Sequence, residues 1–131
     1  MIEKTSEGLG LRRNGSKGSP MDQVNRYREI LRQIVTKYAS WGGNRTDIRS
    51  EAVIDTDHDH YEVMSVGWQG RHRVHGSVVH LDIINGKVWI QHDGTNRPVA
   101  DELLEAGVPK EDIVLGFQPP HLRKYTDFAE A

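Results

Sequence analysis

Apolar residues repeat at helical spacing in the first patterned part of the chain, residues 22–41. In DQVNRYREILRQIVTKYASW they recur every three or four positions, which places them on one face of an amphipathic α-helix. Asp22 is predicted as the N-cap, because a short carboxylate can accept hydrogen bonds from the free N–H groups of a first turn. The glycines of GGN, residues 42–44, predict the end of this helix.

From residue 48 onward apolar and polar residues alternate, as they do in strands with one face toward a core. β-Branched and aromatic residues, which favour strands, are common in this region. Asn85-Gly86 is a strong hairpin signal, since both residues tolerate positive φ. Short turns separate the predicted strands and imply an antiparallel meander. The four strands are IRSEAVID (48–55), YEVMSVGW (61–68), VHGSVVHLDII (74–84) and KVWIQ (87–91).

Helix signals return after the fourth strand, but they are short. Pro98 suits the start of a second helix and Gly107 its end, and KEDIV (110–114) fits one further helical turn. Beyond this turn the sequence predicts an irregular tail, because Pro119-Pro120 excludes regular structure. The predicted fold class is therefore α+β: an N-terminal helix packed on a four-stranded antiparallel meander, followed by short C-terminal helices and an irregular tail.

The chain divides into two parts of different character. Residues 1–20 are rich in glycine, serine and charge and show no apolar period. They predict a disordered N-terminal extension, which could be a natural tail, a misassigned start or a cloning remnant. Residues 21–131 form the predicted single domain, since a chain of this length supports one core.

Composition and charge exclude several classes of function. The chain has no cysteine, which excludes disulfides, thiol nucleophiles and thiolate metal sites. The sequence shows neither a membrane span nor a secretory signal, so we expect a cytoplasmic protein without membrane contact. The net charge is −2, and the first twenty residues are more basic than the rest. The domain therefore lacks the dense positive charge typical of autonomous duplex binders.

The stretch DTDHDHYE, residues 55–62, combines histidine with aspartate and raises the question of a metal site. His58 and His60 could bind a metal with Asp57 or Asp59, because alternate strand positions share a face. We prefer the interpretation that these residues build a tight turn, in which short polar side chains hydrogen-bond the backbone.

A second stretch, IQHDGT (90–95), contains a His-Asp pair like that of metal-dependent phosphohydrolases. Those enzymes take further ligands from a helical bundle, whereas this pair ends a predicted strand. Asp93, Gly94 and Thr95 are therefore predicted as a structural corner, in which Asp93 or Thr95 accepts from the N–H groups of the following helix. A convergence of His58, His80 and His92 across adjacent strands is left open, and no catalytic, cofactor-binding or metal-binding residue is assigned.

Four longer stretches resemble the XisI family, the fdxN element excision controlling factor proteins. The resemblance covers residues 21–131, and it implies the same α+β fold and an accessory role in excision of a DNA element during cyanobacterial differentiation. It also implies that a separate recombinase cuts and rejoins the DNA, and that a companion of XisH type, with an endonuclease-like fold, is the partner. The matching stretches are NRYREILRQIVTKYAS, DTDHDHYEVMSVGW, GSVVHLDIINGKVWIQHDGT and GVPKEDIVLGFQPPHLRKYTDFA.

The expected function is that of a non-enzymatic controlling factor that binds an XisH-type protein and contacts DNA only indirectly, through the excision complex. A direct DNA-binding directionality factor and a small metal-dependent hydrolase are the alternatives. Apolar residues on both sides of the predicted strands indicate a sheet face that awaits a partner or a second copy of the chain. We expect the tail to be a mobile arm that contributes to this contact. The predicted partner-binding residues are Phe117, His121, Arg123, Tyr125 and Phe128.

Overall fold

The computed structural model describes residues 19–41 and 47–131 and confirms the predicted α+β fold. A long helix precedes a sheet, and short helical segments flank its last strand. In chain order the elements are α1 (Pro20–Trp41), β1 (Ile48–Asp55), β2 (His60–Gln69), β3 (His72–Ile84), β4 (Lys87–Asp93), α2 (Val99–Glu105), a 3₁₀ turn (Lys110–Asp112), β5 (Ile113–Leu115) and α3 (Pro120–Arg123).

The start of α1 differs from the prediction. Ser19, not Asp22, precedes the first helical residue, and its hydroxyl accepts a hydrogen bond from the Asp22 N–H at 3.2 Å. The Asp22 carboxylate in turn accepts from the Ser19 N–H at 3.4 Å. This reciprocal arrangement is a capping box, and Pro20 fits the first helical position because no N–H is needed there. The rest of the predicted extension, residues 1–18, and the predicted helix stop at residues 42–44 lie outside the described residues.

The sheet has one strand more than predicted. Its order is β1-β2-β3-β4-β5, and the first four strands form the expected antiparallel meander. β5 instead runs parallel to β4, because the chain crosses through α2 before it returns. The predicted helical turn in KEDIV is thus correct only for the 3₁₀ segment, since Ile113 and Val114 belong to the fifth strand.

The helix α1 covers one face of the sheet. Tyr27, Leu31 and Val35 are fully buried within a single apolar core. The Tyr27 hydroxyl also donates to Asp112 at 2.5 Å, which ties α1 to the segment before β5. Burial raises the pKa of Tyr27 to about 12, and the bond to Asp112 acts in the same direction. The strand residues in this core are Tyr61, Val63, Val79, Leu81, Ile83, Val88 and Ile90.

Residues that alternate with these core positions form the opposite surface of the sheet, which we call the outer face. Cross-strand pairing places the following side chains on it: Arg49, Glu51, Val53 and Asp55 of β1; His60, Glu62, Met64, Val66 and Trp68 of β2; Arg73, His75, Ser77, His80 and Asp82 of β3; and Trp89 of β4. Gln91, which is unpaired at a register shift in β4, reaches Asp82 on this face by a hydrogen bond. α1 therefore leaves this whole face to the C-terminal tail or to solvent.

The tail, residues 116–131, is ordered against the β4 end of the outer face, so the expectation of a mobile arm is wrong. Arg123 is only 8% exposed, and its guanidinium lies 5.0 Å from the Trp89 ring centroid. Ala129 also forms a parallel bridge with Val114 of β5. A charged residue is buried here because it satisfies backbone carbonyls and stacks on an aromatic ring.

Candidate functional site

The uncovered part of the outer face carries a group of titratable side chains at the end next to the β1–β2 turn. His60 and Asp82 are direct cross-strand partners, and His80 lies two residues before Asp82 on the same side of β3. The His60 Nδ1 donates to Asp82 Oδ1 at 2.7 Å, and the His80 Nε2 donates to the same oxygen at 2.8 Å. One oxygen of the Asp82 carboxylate thus accepts hydrogen bonds from both imidazoles.

Asp82 is buried, whereas His60 is exposed to solvent. Asp82 is 6% exposed, and its second oxygen accepts from the Gln91 amide at 3.2 Å. His60 is exposed, and the hydrogen bond and charge of Asp82 raise the pKa of its imidazole above the ordinary value. The cluster therefore combines a buried carboxylate, held by three hydrogen bonds, with an imidazole that is exposed to solvent.

The DTDHDHYE stretch forms a tight turn between β1 and β2, and Asp55 organises it. Its carboxylate accepts from the N–H groups of Asp57 and His58 at 3.0 and 3.1 Å. Asp59 takes a positive φ of 60° and pairs with Arg28 of α1 at 2.8 Å. Neither Asp57 nor Asp59 belongs to the histidine cluster, so the metal set considered from the sequence does not form in that combination.

The three histidines whose convergence the sequence left open, His58, His80 and His92, do not all come together. The rings of His58 and His80 both lie near His60, with centroids 6.4 and 6.1 Å from it. His92 is the Cα partner of His80, but its ring is exposed and does not join the convergent group. Among the described residues, the group whose ligand atoms converge is His60, His80 and Asp82.

Sequence reasoning missed Asp82 in this group. The signal was present as HLD at residues 80–82, because residues two apart on a strand share a face. The register that brings His60 opposite Asp82 does not follow from the β2–β3 turn, because a β-bulge at Val63/Met64 shifts the pairing by one residue.

The predicted corner residues lie where β4 leads to α2. Asp93 Oδ2 accepts from the Val99 N–H, the first of α2, at 2.7 Å. Asp93 Oδ1 accepts from the Thr95 N–H at 3.0 Å and from its hydroxyl at 2.5 Å. The Gly94 N–H donates to the Val78 carbonyl at 2.7 Å, and a Cβ there would lie 3.0 Å from that oxygen. The carboxylate of Asp93 thus accepts from a free N–H group at the start of α2, a role that Pro98 at the N-cap cannot fill because its side chain has no acceptor.

The predicted partner-binding residues do not share one environment. Phe117, His121 and Tyr125 are exposed, and Tyr125 is the most open of the large apolar side chains in the described part of the chain. Arg123 is buried and donates to carbonyls of the tail, while Phe128 packs partly against the core. Arg123 and Phe128 hold the tail in place, which leaves the other three available for contact.

A cleft of about 400 Å³ lies on the other side of the molecule, between the end of α1 and the corner. Lys37, Tyr38, Trp41, Arg97 and Glu102 are among its lining residues. Burial would raise the pKa of Glu102, but hydrogen bonds from Lys37 and Tyr38 outweigh it and hold that pKa below its usual value. The carboxylate is thus already used to join α1 to α2.

Comparisons with known proteins agree with one another. The family model described as XisI protein matches residues 21–130. The crystal structure of a XisI-like protein from Anabaena variabilis is 44% identical with a TM-score of 0.79, and the match covers 83% of this chain and 99% of that one. The crystal structure of the fdxN element excision controlling factor XisI from the same organism is 39% identical with a TM-score of 0.75, covering 84% and 100%. No curated protein gave a significant match. None of the helices in the described ranges combines the length and apolarity needed to cross a bilayer.

Proposed function

Because the chain belongs to the XisI family, we propose that it is a non-enzymatic controlling factor for excision of a DNA element, which acts by binding a nuclease-like protein of XisH type. The observation that carries the proposal is the match across nearly the whole of a structure named as an excision controlling factor, at 39% identity. Similarity of this extent and coverage supports a shared role as well as a shared fold.

Apolar exposure supports protein binding through the outer face. Val53 and Trp68 are exposed there, with Met64 and Val66 half-buried between them. Exposed aromatic and aliphatic groups on an uncovered sheet face are typical of a surface that another protein covers. Tyr125 stands on the tail that packs against this face and can extend the same contact.

The charges of the outer face favour a protein over the phosphate backbone of DNA. Glu51, Asp55 and Glu62 alternate with Arg49 and Arg73 on that surface. Surfaces that bind duplex DNA concentrate lysine and arginine, since affinity arises from the release of counterions. Mixed charge around an apolar patch is instead the usual composition of a protein interface.

A matched pair of tryptophan variants tests this surface. Trp68→Ala removes a side chain that is 52% exposed on the outer face, whereas Trp41→Ala removes one that is 64% exposed at the end of α1. Binding to the XisH-type protein is measured by calorimetry with both purified proteins. We expect Trp68→Ala to weaken binding at least tenfold and Trp41→Ala to leave it within twofold. Equal effects would contradict the assignment of the outer face.

Mobility shifts on DNA separate direct from indirect contact. We expect no shift by the protein alone at moderate salt and a shift when the XisH-type protein is added. A shift by the protein alone that weakens steeply with salt would show direct phosphate binding and would overturn the proposal.

A further inference from the structure

The donors of the outer-face cluster form a set that transition metals favour. Two imidazole nitrogens and one carboxylate oxygen, from His60, His80 and Asp82, have ligand atoms that all lie within 4.8 Å of one another. Imidazole suits zinc and related ions, whereas magnesium and calcium favour sites built from oxygen. Two nitrogens in a set of three therefore point to a zinc-type ion.

The distances require little movement for a metal to enter. Ligands of tetrahedral zinc lie about 2.0–2.2 Å from the ion, which places them roughly 3.4 Å from each other. Asp82 Oδ1 is 2.7 Å from the His60 nitrogen and 2.8 Å from the His80 nitrogen, as two hydrogen bonds require. Replacing those two protons by one ion widens each gap by roughly 0.6 Å. The exposed ring of His60 can turn by that amount without disturbing the core.

Neighbouring side chains already hold the ligands as they are held in metal sites. The Gln91 amide fixes the second oxygen of Asp82 at 3.2 Å. The Nδ1 of His80 lies 3.8 Å from Glu62 Oε2, which is beyond hydrogen-bond distance but places a carboxylate behind the ring. A carboxylate behind a ligating histidine orients the ring and raises its basicity. Asp82 thus has a hydrogen-bonded supporting partner that does not itself bind the ion, and His80 has a carboxylate close behind its ring.

From this geometry we infer that the outer face contains a binding site for one divalent zinc-type ion, with His60 Nδ1, His80 Nε2 and an oxygen of Asp82 as protein ligands. The fourth position faces solvent, because His60 is exposed at the rim of the site. The inference is independent of the proposed function, since it requires only the folded chain. An open position on a surface of this kind can accept water or a side chain from another protein.

Calorimetric titration of the chelator-treated full chain with zinc chloride tests the site. We expect saturable binding of one ion per chain. His60→Gln should weaken this binding at least tenfold and should fold normally, because His60 lies at the surface. His75→Gln is the matched control: it replaces an exposed histidine on the same face, in β3, and should leave the affinity within twofold.

Cobalt supplies a second readout that loose surface binding does not imitate. A tetrahedral site with nitrogen and oxygen ligands should give visible absorption on addition of cobalt chloride, and Gln91→Ala should alter that spectrum by freeing Asp82. Absence of saturable zinc binding in the wild-type chain would overturn the inference. Equal affinity of His60→Gln and the wild type would overturn it as well, because the ion would then reside at other histidines.

Discussion

Replacing the buried Arg123 by alanine should destabilise the domain by about 3 kcal/mol. The guanidinium donates to the Gln118 carbonyl at 3.0 Å and, over longer distances of 3.3 and 3.4 Å, to the carbonyls of Gly116 and Glu130. A hydrogen bond from a charged donor contributes roughly 1.5–3 kcal/mol when well aligned, and the two long bonds add less. Stacking on Trp89 contributes about 1 kcal/mol more. Part of the total is offset because the released carbonyls regain water.

Urea unfolding, followed by tryptophan fluorescence and by circular dichroism, measures this change. Lys124→Ala is the control, since it removes an exposed cation from the next position and should alter the free energy of unfolding by less than about 0.5 kcal/mol. Arg123→Lys should recover only a minor part of the loss, because an ammonium cannot reach three carbonyls from one plane. If Arg123→Ala and Lys124→Ala unfold at the same urea concentration, the guanidinium does not hold the tail.

Three further changes test the capping and charge arrangements. Asp93→Ala should lower the free energy of unfolding by about 1 kcal/mol, since the Val99 N–H loses its acceptor, and should leave zinc stoichiometry unchanged. Ser19→Ala should cost about 1 kcal/mol by the same assay, whereas Ser19→Asp should retain most of the stability. Glu102 has a lowered pKa in the folded state, so its contribution is complete above the unfolded value of about 4.3 and is lost as pH falls through the folded value. Glu102→Gln should therefore flatten the loss of stability as pH falls below the unfolded value, and an unchanged pH profile would contradict the pairing with Lys37.

Local patterns were sufficient to predict α1, the four antiparallel strands and the hairpin at Asn85-Gly86, where φ is 52° and 79°. These elements depend on neighbours in sequence, so periodicity and turn chemistry identify them. β5 was not predicted because a strand of three residues is too short to show an alternation of apolar and polar positions. Its pairing with Val88 also depends on a crossover of about twenty residues.

The functional residues depend still more on distant contacts. Arg123 was predicted as a partner-binding residue, and its burial was missed because its partners are backbone carbonyls that no side-chain pattern reveals. Asp82 was not predicted as a site residue, because only the strand register brings it to His60. The sequence alone could suggest a site that contains histidines, but it could not identify which residues form it.

The position of the tail has a consequence for the order in which the protein folds. During synthesis α1 and the meander emerge first, and their contacts connect segments that are close in sequence, which favours rapid folding. β5 and Arg123 follow later, so Trp89 and Val114 stay uncovered until residues 116–131 have also been synthesised. A chain that ends prematurely would expose this apolar edge and should associate with other unfinished chains or with a chaperone. We therefore expect residues 116–131 to protect the nascent sheet from aggregation, in addition to completing its fold.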